Sequence, residues 1–322
     1  MASAETIEIA RGIPPGFVLA CAMVFGAFVG SFTNVVAWRL PRQCLSINNP
    51  RRSFCPKCKA QLAWYDNIPV LGWILLLGRC RYCRKAISPR YPLVEAAMAA
   101  LFGLAVWRTV LSGGPGALVS VEAWLFALAA VVAISVLIPV ALIDWDLTII
   151  PDELAVGPLL FFVPMAASVT HMRTGLPPDL DPLLFHALPL WLNGVLSALV
   201  AGAAGSLTLW LIGKAGNVLF PGRTAKMGGE SMGFGDVKLV FLLGVILGWP
   251  KLVAAFFIAI LLGASVGLVL RVAARFLAVP FGPFLVAGTL AALLFTPEIL
   301  QAVDWYIALI TPQGVPPARL GS

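Results

Sequence analysis

Charged residues are scarce in this chain. Of its 322 residues, 11% are charged and 60% are hydrophobic, and only 15 are Asp or Glu. A soluble domain carries about a quarter of its residues as charged side chains, and the mean hydropathy of +0.94 is too high for one. The composition therefore excludes a soluble domain and predicts an all-α polytopic membrane protein.

The N-terminus also lacks the features of a cleaved secretory signal. Glu5 and Glu8 precede Arg11, so there is no basic start, and no small-residue cleavage site follows the first apolar run. We therefore expect this run to be retained as the first transmembrane helix.

Apolar runs of membrane-spanning length recur along the chain. A bilayer core about 30 Å thick needs close to 20 apolar residues per helix. Eight runs approach this length, and the predicted spans are residues 16–38, 92–110, 121–143, 154–170, 190–212, 237–249, 251–271 and 279–295.

Basic residues are distributed unevenly and predict the topology. Eleven of the 22 Lys and Arg lie between Arg39 and Arg90, where Asp66 is the single acid. Short basic loops stay on the cytoplasmic side, so this loop is expected inside the cell. Alternation of the spans then places the loops 144–153 and 213–236 on the cytoplasmic side as well.

Four cysteines form two C-x2-C pairs within this basic loop. The pairs are Cys55 with Cys58 and Cys80 with Cys83, a spacing typical of tetrahedral zinc. Two disulfides are the alternative, but a cytoplasmic loop is kept reduced. We therefore predict a structural zinc ion, which would supply folding energy that so small a domain lacks.

Two acidic residues stand where apolar runs meet the cytoplasmic side. Asp144 ends one run and Asp236 begins another, and a carboxyl group at such a boundary costs up to about 3.5 kcal/mol. Two neighbouring carboxyls that share one proton could activate water and protonate a leaving amine. Gly233 and Gly235 would allow a positive φ and the close approach of an extended substrate. Lys238 either anchors its helix at the interface or lowers the pKa of Asp236 through its positive charge.

Two other functions would use the same acids differently. Asp144, Asp146, Asp152 and Asp236 could hold Mg²⁺ in a membrane phosphotransferase. Intramembrane acids could also relay protons in a transporter, although broken helices around a midplane site would then be expected. The simplest interpretation of Asp146 and Asp152 is a solvated loop charge or a helix N-cap.

Several segments together are similar to the type IV prepilin peptidases, which are bifunctional leader peptidases and N-methyltransferases. In the first part these are GSFTNVV (30–36), RLP (39–41), CPKC (55–58), WYDNIP (64–69), CRYC (80–83) and SPRYPLVE (88–95). In the second part these are ID (143–144), IIPD (149–152) and ESMGFGDVKL (230–239). Thr33 departs from the family pattern, where leucine is more usual.

The resemblance implies a fold and an activity. It implies a first transmembrane helix (1–38), a four-cysteine zinc-binding domain associated with methyl transfer (39–91), a membrane aspartic peptidase domain (92–296) and a tail (297–322). Asp144 and Asp236 would be the catalytic pair. The enzyme would remove the basic leader of prepilins and pseudopilins at the cytoplasmic face of the bacterial inner membrane and methylate the new N-terminus.

The resemblance also implies partners and a co-substrate. S-adenosylmethionine would be the methyl donor, but the chain has no glycine-rich dinucleotide fingerprint, so the donor-binding residues are unassigned. The expected partners are prepilins and membrane lipid, not nucleic acid, and the oligomeric state is left open. Asn34 and Glu95 are predicted to be hydrogen-bond partners between helices or interfacial groups, with binding of the substrate or the methyl donor as the alternative. The segments 171–188 and 222–229 lengthen loops between the two aspartates.

Overall fold

The computed structural model describes residues 12–42, 53–168, 188–219, 233–274 and 279–310, with the single residues 8 and 221. Within these ranges the chain is helical and has two isolated β-bridges but no strand. The all-α prediction is therefore confirmed. The α-helices are α1 (Pro15–Arg39), α2 (Leu71–Leu75), α3 (Arg90–Thr109), α4 (Gly114–Leu118), α5 (Val121–Leu147), α6 (Asp152–Ala155), α7 (Leu159–Ser168), α8 (Leu190–Leu219), α9 (Phe234–Leu247), α10 (Trp249–Ala274), α11 (Gly282–Leu294) and α12 (Thr296–Ile310).

The first of two compact units runs from Met1 to Ile143. In it α1 and α3 pack closely along their length. Gly26 and Gly30, one turn apart on α1, make this possible: a Cβ on Gly26 would lie 2.7 Å from the Met98 carbonyl oxygen, and one on Gly30 would lie 2.8 Å from the Glu95 Cα. Small residues at this spacing are typical of close helix packing in membranes.

A small cysteine-rich subdomain, described from residue 53 to residue 89, lies between α1 and α3 in sequence. It contains one short α-helix, α2, and a 3-10 turn, Trp64–Asn67. Arg81 joins this turn to the second cysteine pair, because its guanidinium donates to the buried Asp66 carboxylate at 2.6 to 3.0 Å. The ion pair thereby fixes two loops that have few apolar contacts of their own.

The second unit runs from Asp144 to Ser322. Its central helix is α9, which is buried at every position from Leu242 to Leu247 and packs against α8. Close approach again depends on glycine, since a Cβ on Gly202 would lie 2.7 Å from the Phe241 carbonyl oxygen. Helix α9 ends at Gly248, whose φ of +77° stops the helix at low cost. Helices α10 and α11 form a second packed pair.

The helices support a multi-pass membrane protein, but they do not confirm eight spans. Among the described residues, five helices are long and apolar enough to cross a bilayer, and a sixth crossing results if the pair α11 and α12, bent by 90°, counts as one. Helices α7, α9 and α11, predicted as spans, have 10, 14 and 13 residues, respectively. At 1.5 Å per residue each is shorter than the bilayer core.

Some predicted features lie outside the described residues. They are the segment 171–188, apart from its last residue, the loop 222–229, and the tail after residue 310. The first part of the tail, by contrast, is described and helical, because α12 runs from Thr296 to Ile310.

Candidate active site and metal centre

Asp144 lies in the last turn of α5 and is 5% exposed. Its Oδ2 accepts a hydrogen bond of 3.0 Å from the backbone N–H of Gly282, in the first turn of α11. A Cβ on Gly282 would stand 2.5 Å from that carboxylate oxygen. Only glycine leaves room for the aspartate here, and sequence analysis missed this contact because the two residues are far apart in the chain.

Asp236 lies in the first turn of α9 and is half-buried. The helix begins after Gly233, which has an extended backbone, and the Asp236 N–H closes the first turn onto the Gly233 carbonyl at 3.1 Å. Because the following residues of α9 are packed in the core, the position of Asp236 is set by a rigid element.

The carboxyl groups of Asp144 and Asp236 are close enough to repel each other electrostatically. One comes from a helix C-terminus and the other from a helix N-terminus, so the chain folds back to bring them together. Two carboxyls in this relation can share a single proton, with one accepting a proton from water while the other donates one. The second unit therefore contains a candidate acid–base pair.

The positive φ considered for the two glycines before Asp236 is not found. Gly233 has a φ of −70°, and Gly235, inside α9, is not among the glycines with positive φ. Gly235 instead allows close packing, since its Cβ would lie 3.2 Å from Ile150 Cβ in the loop after α5. That contact holds the start of α9 against the segment that follows Asp144.

Lys238 forms an ion pair that the sequence did not predict. Its Nζ lies 2.7 Å from Asp152 Oδ1, and it also stands 5.2 Å from the centre of the Phe234 ring. Asp152 is neither a free loop charge nor a side-chain cap, because it opens α6 after Pro151 and pairs with α9. The pair is a second link between the loop after α5 and the start of α9.

The four cysteines converge as predicted. The sulfurs of Cys55, Cys58, Cys80 and Cys83 lie within 4.8 Å of one another, and two separations are 3.9 and 4.0 Å. Tetrahedral Zn–S bonds of about 2.3 Å require sulfurs about 3.8 Å apart, whereas a disulfide requires about 2.0 Å. The cysteines are free thiols, so the disulfide alternative is wrong and the cluster could hold a metal ion.

The two cysteine pairs are built in the same way. In each, the first cysteine carbonyl accepts a hydrogen bond of 2.9 Å from the N–H four residues on, and that residue, Lys59 or Arg84, has a φ near +60°. Burial opposes ionisation of the Cys55 thiol, but hydrogen bonds from the Cys58 and Lys57 backbone lower its pKa to about 7. The first turn thus favours the thiolate form of Cys55, which is the form that binds metal.

Asn34 and Glu95 hold the first unit together. The Asn34 side-chain amide donates to the Tyr91 carbonyl at 3.2 Å, which confirms the predicted contact between helices. The Glu95 carboxylate instead accepts a hydrogen bond of 2.7 Å from the N–H of Val70, at the start of α2. Val70 has a φ of +61°, an unusual backbone for a β-branched residue.

Comparison with known proteins gives a consistent result. A family model described as the bacterial peptidase A24 N-terminal domain matches residues 24–109, and one described as the type IV leader peptidase family matches residues 131–268. No solved structure matches the chain.

Three similar proteins are all named prepilin leader peptidase/N-methyltransferase. That of Aeromonas salmonicida (strain A449) is 33% identical, with 94% of this chain and 98% of the relative aligned. That of Burkholderia pseudomallei (strain 1026b) is 35% identical, with 91% of each chain aligned. That of Pseudomonas aeruginosa is 33% identical, with 89% of this chain and 93% of the relative aligned.

These matches cover both units and support a peptidase. Nothing in them supports the phosphotransferase or the transporter. The chain belongs to the type IV leader peptidase family.

Proposed function

We propose that this protein removes the leader peptide of type IV prepilins and pseudopilins at the cytoplasmic face of the bacterial inner membrane and then N-methylates the new N-terminus. The proposal rests on one observation above all. Asp144 and Asp236, remote in sequence, interact electrostatically at the ends of two helices, and the relatives carry this bifunctional name.

Asp144 and Asp236 would act as the catalytic pair in the peptidase step. One carboxylate takes a proton from water as the water oxygen attacks the scissile carbonyl. The C–N bond then breaks, its electron pair stays on nitrogen, and the other carboxyl supplies the proton that nitrogen needs. Burial of Asp144 and its hydrogen bond from Gly282 keep one member of the pair fixed during this exchange.

Gly233, Gly235 and Lys238 would position the substrate beside this pair. Gly233 is exposed at the start of α9, with no atom closer than 3.8 Å to the site where a Cβ would stand, so an extended chain has access there. Lys238 lies one turn further on, with about a third of its side chain exposed. These three residues belong to the peptidase domain proposed for residues 92–296.

The subdomain of residues 39–91 would serve methyl transfer and bind structural zinc. Cys55, Cys58, Cys80 and Cys83 would hold the ion, because their sulfur separations fit tetrahedral coordination. Four thiolates leave no open position, so the ion would stabilise the fold without contacting substrate. Its removal should therefore act through the structure of the subdomain.

S-adenosylmethionine would supply the methyl group. The amino nitrogen of the processed chain forms a bond to the methyl carbon. The sulfur–carbon bond breaks with its electrons remaining on sulfur, and the nitrogen releases a proton to water. The relatives' names include this activity.

The proposed topology has eight spans, which are the five longer helices together with α7, α9 and α11. Reporter fusions at the loops test the count. A fusion after α8 should report the cytoplasm, and one after α7 should report the outside. If both fusions report the same side of the membrane, α8 does not cross it.

A single incubation tests both activities. Purified full-length protein is mixed with a prepilin and S-adenosylmethionine, and the mass of the product N-terminus is measured. The expected product lacks the leader and carries one added methyl group. An unchanged substrate, under conditions where the zinc content and helicity of the enzyme are intact, would contradict the proposal.

A further inference from the structure

The short helix α2 of the cysteine-rich subdomain has one face that the protein covers and one that it leaves exposed. On the covered face, Gly72 packs against the Asp66 carbonyl so tightly that no Cβ would fit, and the Trp73 indole donates to the Ile87 carbonyl at 3.1 Å. The opposite face presents three large apolar side chains, each more than half exposed, from Leu71, Ile74 and Leu75. Helix positions three and four apart share a face, so these side chains form one apolar surface.

Leu77 extends this surface past the end of the helix. Its N–H donates to the Ile74 carbonyl at 2.9 Å, and its side chain is 83% exposed. Its φ is +50°, a backbone conformation in which glycine and asparagine are far more common than leucine. An exposed leucine with this backbone indicates that its apolar surroundings lie outside the protein. We refer to Leu71, Ile74, Leu75 and Leu77 together as the α2 patch.

Helix α3 shows how deep α2 lies along the membrane-crossing helices. Val70, immediately before α2, donates its N–H to the Glu95 carboxylate at 2.7 Å. Glu95 is five residues from the start of α3 at Arg90, which corresponds to about 7.5 Å along the helix. Helix α3 belongs to one of the candidate membrane spans. The start of α2 therefore lies beside a membrane helix and not beyond its end.

Helix α1 gives a similar depth. Glu95 also forms a hydrogen bond with the Ser31 side chain, and its Cα would lie 2.8 Å from a Cβ on Gly30. Ser31 precedes Arg39, the last residue of α1, by eight positions, which corresponds to about 12 Å. Because both helices place the start of α2 within their own length, a face of α2 that is turned away from the protein meets lipid at this depth.

The backbone at the end of α2 is paired as apolar surroundings require. The N–H groups of residues 76–79 donate to carbonyls of residues 72–76 at 2.9 to 3.2 Å. An unpaired backbone group is costly in lipid, where water cannot replace the missing partner. The segment that ends the α2 patch can therefore enter the membrane surface with these groups satisfied.

The subdomain also has the charge that an acidic membrane surface attracts. Its described residues, 53–89, include six exposed basic side chains, which are those of Lys57, Lys59, Arg79, Arg81, Arg84 and Lys85. Asp66 is the single acid in this segment, and Arg81 pairs with it. Arg79 follows α2 directly, since its N–H donates to the Leu76 carbonyl at 3.0 Å. An apolar helix face with basic residues nearby is typical of helices that lie in the interface of an anionic bilayer.

We infer that the α2 patch inserts into the bilayer surface at the common end of α1 and α3, with acidic phospholipid headgroups bound by the basic residues of the subdomain. On the proposed topology this surface belongs to the cytoplasmic leaflet. The insertion would hold the cysteine-rich subdomain against the membrane, and it requires neither of the proposed activities.

Photolabelling from the lipid tests this insertion in the full-length protein. Nanodiscs with one copy of the chain are made from phosphatidylglycerol and a phospholipid that has a diazirine near the glycerol end of one acyl chain. After irradiation, peptide mass spectrometry locates the lipid adducts, which should form on residues 71–77. Leu268, 66% exposed and six residues before the end of α10, is the positive control. Adducts on Leu268 but none on residues 71–77 would overturn the inference.

A double substitution in the α2 patch gives the matched comparison. Leu75→Gln with Leu77→Asn removes two exposed apolar side chains, and asparagine suits the positive φ at residue 77. Adducts on residues 71–74 should fall at least fivefold and those on Leu268 should not change. Tyr82→Gln, which changes an exposed side chain of the same subdomain outside α2, should label as the wild type does. Wild-type labelling of residues 71–74 in the double variant would overturn the inference.

Two changes to the discs, made with the wild type, distinguish the possible occupants of the patch. Addition of a prepilin should leave the adducts on residues 71–77 within twofold. Their loss would assign the patch to the substrate and overturn the inference. Replacement of phosphatidylglycerol by phosphatidylcholine should reduce these adducts at least twofold relative to those on Leu268. Equal labelling in the two lipids would overturn the binding of acidic headgroups.

Discussion

The backbone N–H of Gly282 donates a hydrogen bond to the Asp144 carboxylate at 3.0 Å, in a gap that no side chain at residue 282 could share. Gly282→Ala would place a methyl group 2.5 Å from Asp144 Oδ2. The carboxylate must then move, and a displacement of about 1 Å in an active site costs on the order of 100-fold in rate. We expect a loss of that size in prepilin cleavage.

Gly267→Ala is the matched control for this variant. Gly267 lies in α10 with no atom within 4 Å of the added Cβ, and alanine favours a helix over glycine by up to about 1 kcal/mol. This variant should cleave at the wild-type rate. Full cleavage by a folded Gly282→Ala protein would show that the contact does not position Asp144.

The two glycines before Asp236 should differ in their tolerance of a side chain. Gly235→Ala brings a Cβ to 3.2 Å from Ile150 Cβ, whereas Gly233→Ala meets nothing nearer than Asp236 Oδ2 at 3.8 Å. The free energy of unfolding should therefore fall in Gly235→Ala and change little in Gly233→Ala, whereas Gly233→Ala should raise KM for prepilin because a methyl group narrows the approach of the substrate. A wild-type KM in Gly233→Ala would remove Gly233 from the substrate-positioning residues.

Substitutions in the ion pair between Lys238 and Asp152 distinguish a structural role of Lys238 from a role in substrate positioning. The two side chains are 32% and 64% exposed, so the pair should contribute at most about 1 kcal/mol to stability. Lys238→Gln and Asp152→Asn should lower the free energy of unfolding by similar small amounts. If Lys238 also positions substrate, Lys238→Gln alone raises KM for prepilin. Equal KM values in the two variants would limit Lys238 to the ion pair.

Removal of one thiolate should affect the subdomain more than the catalytic pair. Cys58→Ser should lower the zinc content, measured by metal analysis, from the one ion per chain expected for the wild type. It should also reduce methylation more than leader cleavage. Cys21→Ser, which changes an exposed cysteine outside the cluster, is the control. Equal loss of both activities in Cys58→Ser would mean that the subdomain does not serve methyl transfer in particular.

Sequence analysis found those site residues that are marked by a pattern of neighbouring residues in the chain. The C-x2-C spacing of Cys55, Cys58, Cys80 and Cys83 sets the distances that a metal needs, and the structure brings all four together. Asp144 and Asp236 stood out because a carboxyl at the edge of an apolar run is costly. Composition alone was sufficient for the all-α membrane class.

The contacts that sequence analysis missed join residues remote in the chain. The bonds from Gly282 to Asp144, from Lys238 to Asp152 and from Val70 to Glu95 all depend on how helices pack. The positive φ considered for Gly233 and Gly235 is not found because α9 begins at Phe234, so these glycines have extended and helical backbones. Apolar runs likewise predicted longer helices than α7 and α11, since hydropathy does not show where a helix begins.

The central claim is that Asp144 and Asp236 act together on one scissile bond. General acid–base catalysis by such groups increases the rate by a factor of about 10² to 10⁴. An amide cannot replace either carboxyl, because it cannot take up or supply the proton. Asp146, two residues from Asp144 and exposed at the end of α5, provides the matched control.

The most direct measurement is the rate of leader removal from a prepilin, followed by the mass of the product, in Asp144→Asn, Asp236→Asn and Asp146→Asn. The first two variants should insert normally and cleave at least about 100 times more slowly than the wild type, and Asp146→Asn should cleave normally. Leader removal at the wild-type rate in either Asp144→Asn or Asp236→Asn would contradict the assignment of the catalytic pair.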